Sequence, residues 1–303
     1  MVYELFRRPC RQMSDMRVFS CSKGDEFARL VCDRLGIGLG KVELGRLLES
    51  GEVLVSLEET VRGQDVFVVH SAGNDADINC ALMELLVLIS SCKEASARRV
   101  TAVIPCFPYA HQDVKAMSKG AISAKLIANM LSAAGCDHVI TMDLHASQIQ
   151  GFFDIPVDNL FAEPTIISWI REHVPNYARA VFVSPDAGGA KRVASIACAM
   201  HTDIALIHFN KKPVSKQEGS SPALFTDELV LVGNVRGRSA IILDDLAESC
   251  RTIMAAVKKL SDEGAKDIRA IVTHAVFSKN TIQKINPAQK DRLESFVFSN
   301  TTP

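Results

Sequence analysis

The chain has 303 residues, 48% of them hydrophobic and 23% charged, with a formal net charge of −1. Those values belong to a globular protein long enough for one large domain or two ordinary ones, and they exclude wholesale disorder. Near-neutrality gives no support to a nucleic-acid binder or a polybasic membrane-surface protein, and no apolar run reaches the roughly 18 residues of a membrane span.

Nine cysteines are scattered from Cys10 to Cys250 without a C-x-x-C pair. An odd, dispersed set predicts free thiols in a reducing compartment, hence a cytoplasmic protein, and argues against a disulfide framework or a zinc site. Residues 1–16, MVYELFRRPCRQMSDM, contain no signal-peptide apolar region. They are expected to be an extension ahead of the first strand, with an arginine-bearing transit peptide as the alternative.

From Arg17 onward, strand-like and helix-like patterns alternate. Val18–Ser20 predicts a strand, followed by a helix from Gly24-Asp25 with Phe27, Leu30, Val31 and Leu35 spaced for one buried face. Val66–Val69 is a buried strand pattern, Ala81–Ile89 a long helical one, and Thr101–Pro105 the next strand. A helix over Ile122–Ala134 stops at Gly135, and a strand over Val139–Met142 ends at Asp143-Leu144-His145.

The second half repeats the rhythm. It predicts a helix over Pro164–His173, a strand over Ala180–Val183 ending at Asp186, a helix over Ala190–Met200, and strands over Ile204–Ile207 and Leu229–Val232. Between those two strands, Phe209–Glu228 is polar and without period, which predicts a long loop of the kind that closes over sites, or a plain insertion. Lys211, Lys212 and Lys216 lie in it. A strand over Ala240–Leu243 then runs into Asp244-Asp245, a short polar loop and a helix from Thr252 to about Glu263, with strands Ile268–Val272 and Phe296–Phe298 to follow.

Buried strands alternating with helices predict an α/β fold of mainly parallel sheets with helices on both faces. So many strands fit two similar lobes, 17–160 and 161–303, joined near Asp158–Glu163. The second lobe lacks a closing helix, so the expected native chain extends past Pro303.

The corner Ser239–Thr252 (SAIILDDLAESCRT) has two readings. In one, the acids merely end a strand while Ser249 or Thr252 caps a helix. In the other, helix N–H groups face a crevice beside two carboxylates, an arrangement suited to a sugar phosphate with Mg²⁺. Polar residues recur at other strand ends, namely Asp143, His145 and Asp186, where open α/β sheets bind ligands. Gly188-Gly189-Ala190-Lys191-Arg192 adds close backbone approach and two cations suited to a phosphate.

At these residues the sequence resembles the ribose-phosphate diphosphokinases, also called phosphoribosyl pyrophosphate synthetases. The motifs are VRGQDV at 61–66, TAVIPCFPYA at 101–110, ITMDLHASQIQGFF at 140–153, SPDAGGAKRV at 184–193 and Ile242–Asp245. The likeness spans about Arg17 to Pro303. It implies phosphoribosyltransferase-like lobes, assembly with homologous synthetase subunits into hexamers of dimers, and Mg²⁺-dependent transfer of pyrophosphate from ATP to ribose 5-phosphate.

Residue by residue, the resemblance gives ribose hydroxyls to Asp244 and Asp245, and the 5-phosphate to Ser249, Cys250, Arg251 and Thr252. Magnesium falls to His145 and Asp186, and ATP to Ser50, Glu52, His111 and Gln112. The catalytic positions fall on Lys211 and His111, and regulatory ones on Lys115, Ser118, Gln150 and Asp158. Departures stand beside these matches: Leu48 and Ser50 replace an aromatic and an amide, His111 replaces an arginine, Phe209 a lysine, and Arg251 a glycine. They leave open a second reading, a weakly active or inactive subunit that regulates active homologues.

Overall fold

The computed structural model describes residues 15–46, 50–71, 78–115, 119–213, 225–277, 281 and 292–302, with the backbone alone at 46, 209–213 and 225–228. Two compact units emerge: the described residues of Met1–Phe161 with Asn300–Pro303, and those of Ala162–Ser299.

The first unit carries a five-stranded parallel sheet in the order β1-β4-β5-β6-β7, built from β1 (Met16–Ser20), β4 (Asp65–Val69), β5 (Arg99–Ile104), β6 (His138–Met142) and β7 (Val157–Leu160). Its helices are α1 (Asp25–Leu35), α2 (Ile78–Glu94) and α3 (Ser123–Ala133). Strand alternation sends successive side chains to opposite faces. Val18 and Val69 accordingly pack with Ala28 and Cys32 of α1. Phe19, Val66 and Val68 pack on the other face with Leu85 and Leu88 of α2 and Ile127 and Leu131 of α3. Each such buried aliphatic or aromatic side chain contributes about 1.5–3 kcal/mol by leaving water.

Two expectations need correcting here. On α1 the buried stripe is Ala28 and Cys32, while Leu30 is 49% exposed and Leu35 36%. Small residues at i, i+4 let the helix lie close to the sheet, and the larger ones flank it. The sequence pattern also missed an antiparallel pair, β2 (Val42–Arg46) with β3 (Val53–Leu57), which packs against α2.

The second unit carries a six-stranded sheet in the order β10-β9-β8-β11-β12-β13. Its strands are β8 (Val181–Ser184), β9 (Asp203–Pro213), β10 (Phe225–Val232), β11 (Ser239–Leu246), β12 (Asp267–His274) and β13 (Ser295–Phe298). All neighbours are parallel except β9 and β10. On one face α6 (Arg251–Asp262) buries Ile253, Ala256, Val257 and Leu260 against Val183, Ile242 and Ala270. The alternate residues Phe182, Ile241 and Leu243 are equally buried, and α5 (Ala190–Met200) contacts β8, β9 and β11, with α4 (Glu163–His173) against α5.

Phe209–Glu228 is therefore not a structureless loop. Its two ends extend β9 and β10 as paired strands, from Phe209↔Leu229 to Pro213↔Phe225, and residues 214–224 lie outside the described residues. The polar composition misled because an antiparallel edge pair satisfies its backbone in the ladder and tolerates polar side chains. Likewise β7 occupies part of the expected join at Asp158–Glu163, and α4 begins at Glu163 itself.

Candidate functional site

In the second unit the site grows from the centre of the sheet. β11 is laddered to β8 only at Ala240–Ile242, and to β12 up to Leu246. The strand does not stop at the acids, as the sequence suggested: Asp244 pairs in register with Val272 and Leu246 with His274. Because β8 ends earlier, both acids stand at a rim open on one side. There they belong to the ladder and to a carboxylate cluster together.

Asp245 is 6% exposed, and its Oδ1 lies 3.2 Å from Nη1 of Arg192, on α5. Its backbone N–H donates to Oδ1 of Asp244 at 3.0 Å. Burial holds the Asp244 carboxyl well above the usual carboxylate range, and the charge of Asp245, a side-chain hydrogen bond with it and the charge of Asp186 push the same way. Three carboxyl groups thus crowd together beside a single cation, Arg192. That is an environment in which sugar hydroxyls or a cation gain by entering.

Asp186 sits in the turn between β8 and α5. Its Oδ1 accepts from the N–H of Gly189 at 2.9 Å, while Ser184 Oγ donates to the Asp186 carbonyl at 2.6 Å. A Cβ at Gly189 would meet Ser184 Oγ at 3.0 Å, so this glycine keeps the turn tight. Arg192, read from sequence as a phosphate cation, is instead engaged with Asp245. A cation one to two helical turns after a strand-end acid was the signal available for that pair, and it does not name the partner.

After the acids, Ala247 N–H donates to His274 O at 2.8 Å and the chain turns through exposed Glu248 and Ser249. Cys250 adopts a left-handed backbone (φ 53°) and precedes Arg251, the first residue of α6. Neither Ser249 nor Thr252 caps this helix: no side-chain hydrogen bond closes its N-terminus. Its first N–H groups are left to an outside acceptor, with the helix dipole favouring an anion. The conformation that glycine favours falls on Cys250, whereas Arg251 is helical and exposed. The left-handed position of this turn therefore lies one residue before Arg251, where the family pattern has glycine.

In the first unit, His111 and His145 occupy the loops after β5 and β6, and their rings meet with centroids 4.3 Å apart and planes at 63°. Neighbouring Gln112 accepts from Ser123 Oγ at 2.6 Å through Oε1, which ties that loop to the start of α3. Two residues in these loops hold positive φ, Tyr109 (59°) and Asp143 (41°), a conformation side chains rarely adopt and one concentrated at functional loops. The Tyr109 hydroxyl bonds Asn79 Oδ1, and Asp143 N–H donates to Leu160 O at 2.8 Å. Ser50 and Glu52 flank Gly51 just before β3, with Glu52 N–H donating to Ser50 Oγ at 3.2 Å.

The remaining expected residues scatter. Lys211 lies within β9, opposite Asp227, and not beyond a strand end. Lys115 is exposed, Gln150 Nε2 donates to Ser147 O at 3.0 Å, and Asp158 Oδ2 lies 3.1 Å from His138 Nε2. Ser118 lies outside the described residues. Among the described residues, no group of three or more His, Cys, Asp or Glu is arranged to hold a metal by itself. Mg²⁺ takes only one or two carboxylates when water and substrate phosphates complete its shell, and the acids of the second unit fit that limited role.

Residues 16–135 match the family model of the N-terminal domain of ribose phosphate pyrophosphokinase, and residues 222–303 match that of the phosphoribosyl synthetase-associated domain. Among solved structures, the chain is similar to phosphoribosylpyrophosphate synthetase from Mycobacterium smegmatis: 34% identity, 95% of this chain and 90% of that one covered, TM-score 0.84. It also matches a purine phosphoribosyltransferase from Pyrococcus horikoshii at 15% identity, covering 45% of this chain and 84% of that one, TM-score 0.29. A Giardia lamblia APRTase complexed with 9-deazaadenine matches at 11% identity, covering 46% and 77%, TM-score 0.33.

Proposed function

Because the chain belongs to the phosphoribosylpyrophosphate synthetase family, we propose that it is a ribose-phosphate diphosphokinase, moving pyrophosphate from ATP to the 1-hydroxyl of ribose 5-phosphate. The observation that carries this reading is the acid pair Asp244-Asp245 beside an uncapped helix N-terminus. The carboxylates accept hydrogen bonds from ribose hydroxyls, and the 249–252 turn with the first N–H groups of α6 takes the 5-phosphate. Arg192 pairs with Asp245 and holds it in place. A raised Asp244 carboxyl is ready to share a hydrogen with a sugar oxygen.

On the nucleotide side we assign Ser50, Glu52, His111 and Gln112, with Lys211 on β9 as the cation for the transferring group. His145 in the first unit and Asp186 in the second are each assigned to Mg²⁺, which neutralises phosphate charge when bound. The rest of the catalysis is positioning and fixed charge. Lys115, Ser118, Gln150 and Asp158 are assigned to regulation by anions, and the working form to an oligomer with homologous subunits in the cytoplasm.

One observation favours a second reading. His111 stands where the family has arginine, and a neutral imidazole cannot make a bidentate phosphate contact. With Phe209 and Arg251 also departing, the chain would then serve as a weakly active regulatory partner. AMP release from ATP, ribose 5-phosphate, Mg²⁺ and phosphate, measured for the chain alone and mixed with an active homologue, separates the two. Turnover alone supports the enzyme. No turnover alone, with altered rate or ADP sensitivity in the mixture, supports the partner, and neither effect defeats both.

A further inference from the structure

The turn between β11 and α6 is held from behind at two successive residues. Ala247 N–H donates to the carbonyl of His274, the last residue of β12, at 2.8 Å. The Glu248 carbonyl accepts from the Thr281 hydroxyl at 3.0 Å, a contact across 33 positions of sequence. Thr281 is 1% exposed, and a hydroxyl has a single proton to give. That proton goes to the turn. A trans peptide points its C=O and N–H in opposite directions. With the Glu248 carbonyl turned inward to Thr281, the Ser249 N–H is turned away from it. Ser249 is exposed, and its N–H has no acceptor among the described residues. Cys250 then returns to the apolar cluster that holds Ala247 and Ile253.

We infer that Thr281 is a positioning residue for the phosphate-binding turn. Its hydroxyl fixes the Glu248–Ser249 peptide plane, so that the Ser249 N–H joins the uncapped N–H groups of α6 as a donor to a sugar phosphate. The inference rests on the reading that residues 249–252 take the 5-phosphate. Thr281 itself touches no substrate in this role. Without the hydroxyl, the Glu248 carbonyl loses its buried partner and the plane is free to rotate. Rotation takes the Ser249 donor away from the anion and presents a carbonyl oxygen in its place. A packing role alone would need only the volume of the threonine side chain, which valine keeps.

The test compares Thr281→Val, which keeps the shape and removes the donor, with Thr281→Ser, which keeps the donor, in the full chain. Thr281→Ala removes the same donor with less bulk and should match the valine variant. In calorimetric titrations, ribose 5-phosphate affinity is expected to fall about fivefold with valine, the effect of one lost hydrogen bond. With serine it should stay within twofold of wild type, and ATP should bind all the proteins equally. A valine variant within twofold of wild type, or a serine variant as weak as valine, would overturn the positioning role, as would equal weakening of both ligands. NMR order parameters of the Ser249 and Cys250 amides, measured without ligand, supply a second readout: they should drop with valine and hold with serine, and no drop also overturns it. A wild-type chain that binds no ribose 5-phosphate would defeat the 5-phosphate reading instead, while the order parameters still decide whether Thr281 orders the turn.

Discussion

Nη1 of Arg192 and Oδ1 of Asp245 lie 3.2 Å apart, with the arginine side chain 21% exposed and the aspartate 9%. This couples the helix after one strand to the carboxylate at the end of the adjacent one. Removing one partner of a largely buried pair leaves the other charge stranded. Arg192→Met is expected to cost about 3 kcal/mol in urea denaturation and to weaken ribose 5-phosphate binding at least tenfold. Arg192→Lys should recover part of both, and equal loss in the two variants would argue against the ion pair.

Asp244 titrates in the opposite sense to a salt-bridged acid. Its raised folded value means that, as pH climbs past the ordinary carboxylate range near 3.8, the unfolded chain releases this proton before the folded one does. Asp244 therefore contributes stability at low pH that is lost as pH rises through the folded value. Melting curves of wild type and Asp244→Asn between pH 4.5 and 8 should diverge upward, the variant gaining relative stability with pH and binding ribose 5-phosphate less well. A gap that closes as pH rises would contradict the carboxylate crowding.

His70, at the end of β4, is 1% exposed, and neither ring nitrogen has a hydrogen-bond partner. Burial lowers its pKa to about 4. The unfolded histidine takes its proton near 6.5 and the folded one only near 4, so stability is complete above that window and is lost as pH falls through it. The loss integrates to about 3 kcal/mol. His70→Leu should remove this acid limb in urea titrations at pH 7 and pH 4.5; an unchanged slope would show that another group carries it.

Cys250 holds its left-handed backbone without being glycine. A β-branched residue there adds steric cost, so Cys250→Val is expected to destabilise by about 2 kcal/mol. Arg251→Gly, in contrast, should change stability by only about 1 kcal/mol, the helix-propensity difference. Thermal unfolding of both variants decides where the turn's strain resides. A larger loss at 251 would restore the position indicated by sequence.

Much of the architecture was legible because buried parallel strands advertise themselves as short apolar runs. α5 begins at Ala190 and ends at Met200, the bounds its apolar spacing suggested, since Val193, Ile196, Ala197 and Met200 form one buried stripe. The β2–β3 pair was not legible: Glu43, Gly45 and Arg46 dilute the strand signal, and Val53–Leu57 alternates too briefly to stand out. At the site, the residue types were readable and their partners were not. Nothing in Gly188–Arg192 states that its arginine serves Asp245, and nothing in SCRT states which residue bears the positive φ. Charge pairing across strands and backbone strain are properties of the assembled fold.

The register between β9 and β10 bears on how this segment tolerates change. The pairs Leu229↔Phe209, Val230↔His208, Leu231↔Ile207 and Val232↔Leu206 fix the two strands on buried Ile207 and half-buried Leu231. A slip by one residue would turn those apolar groups to solvent, so Lys212 cannot take the place of Lys211 by sliding.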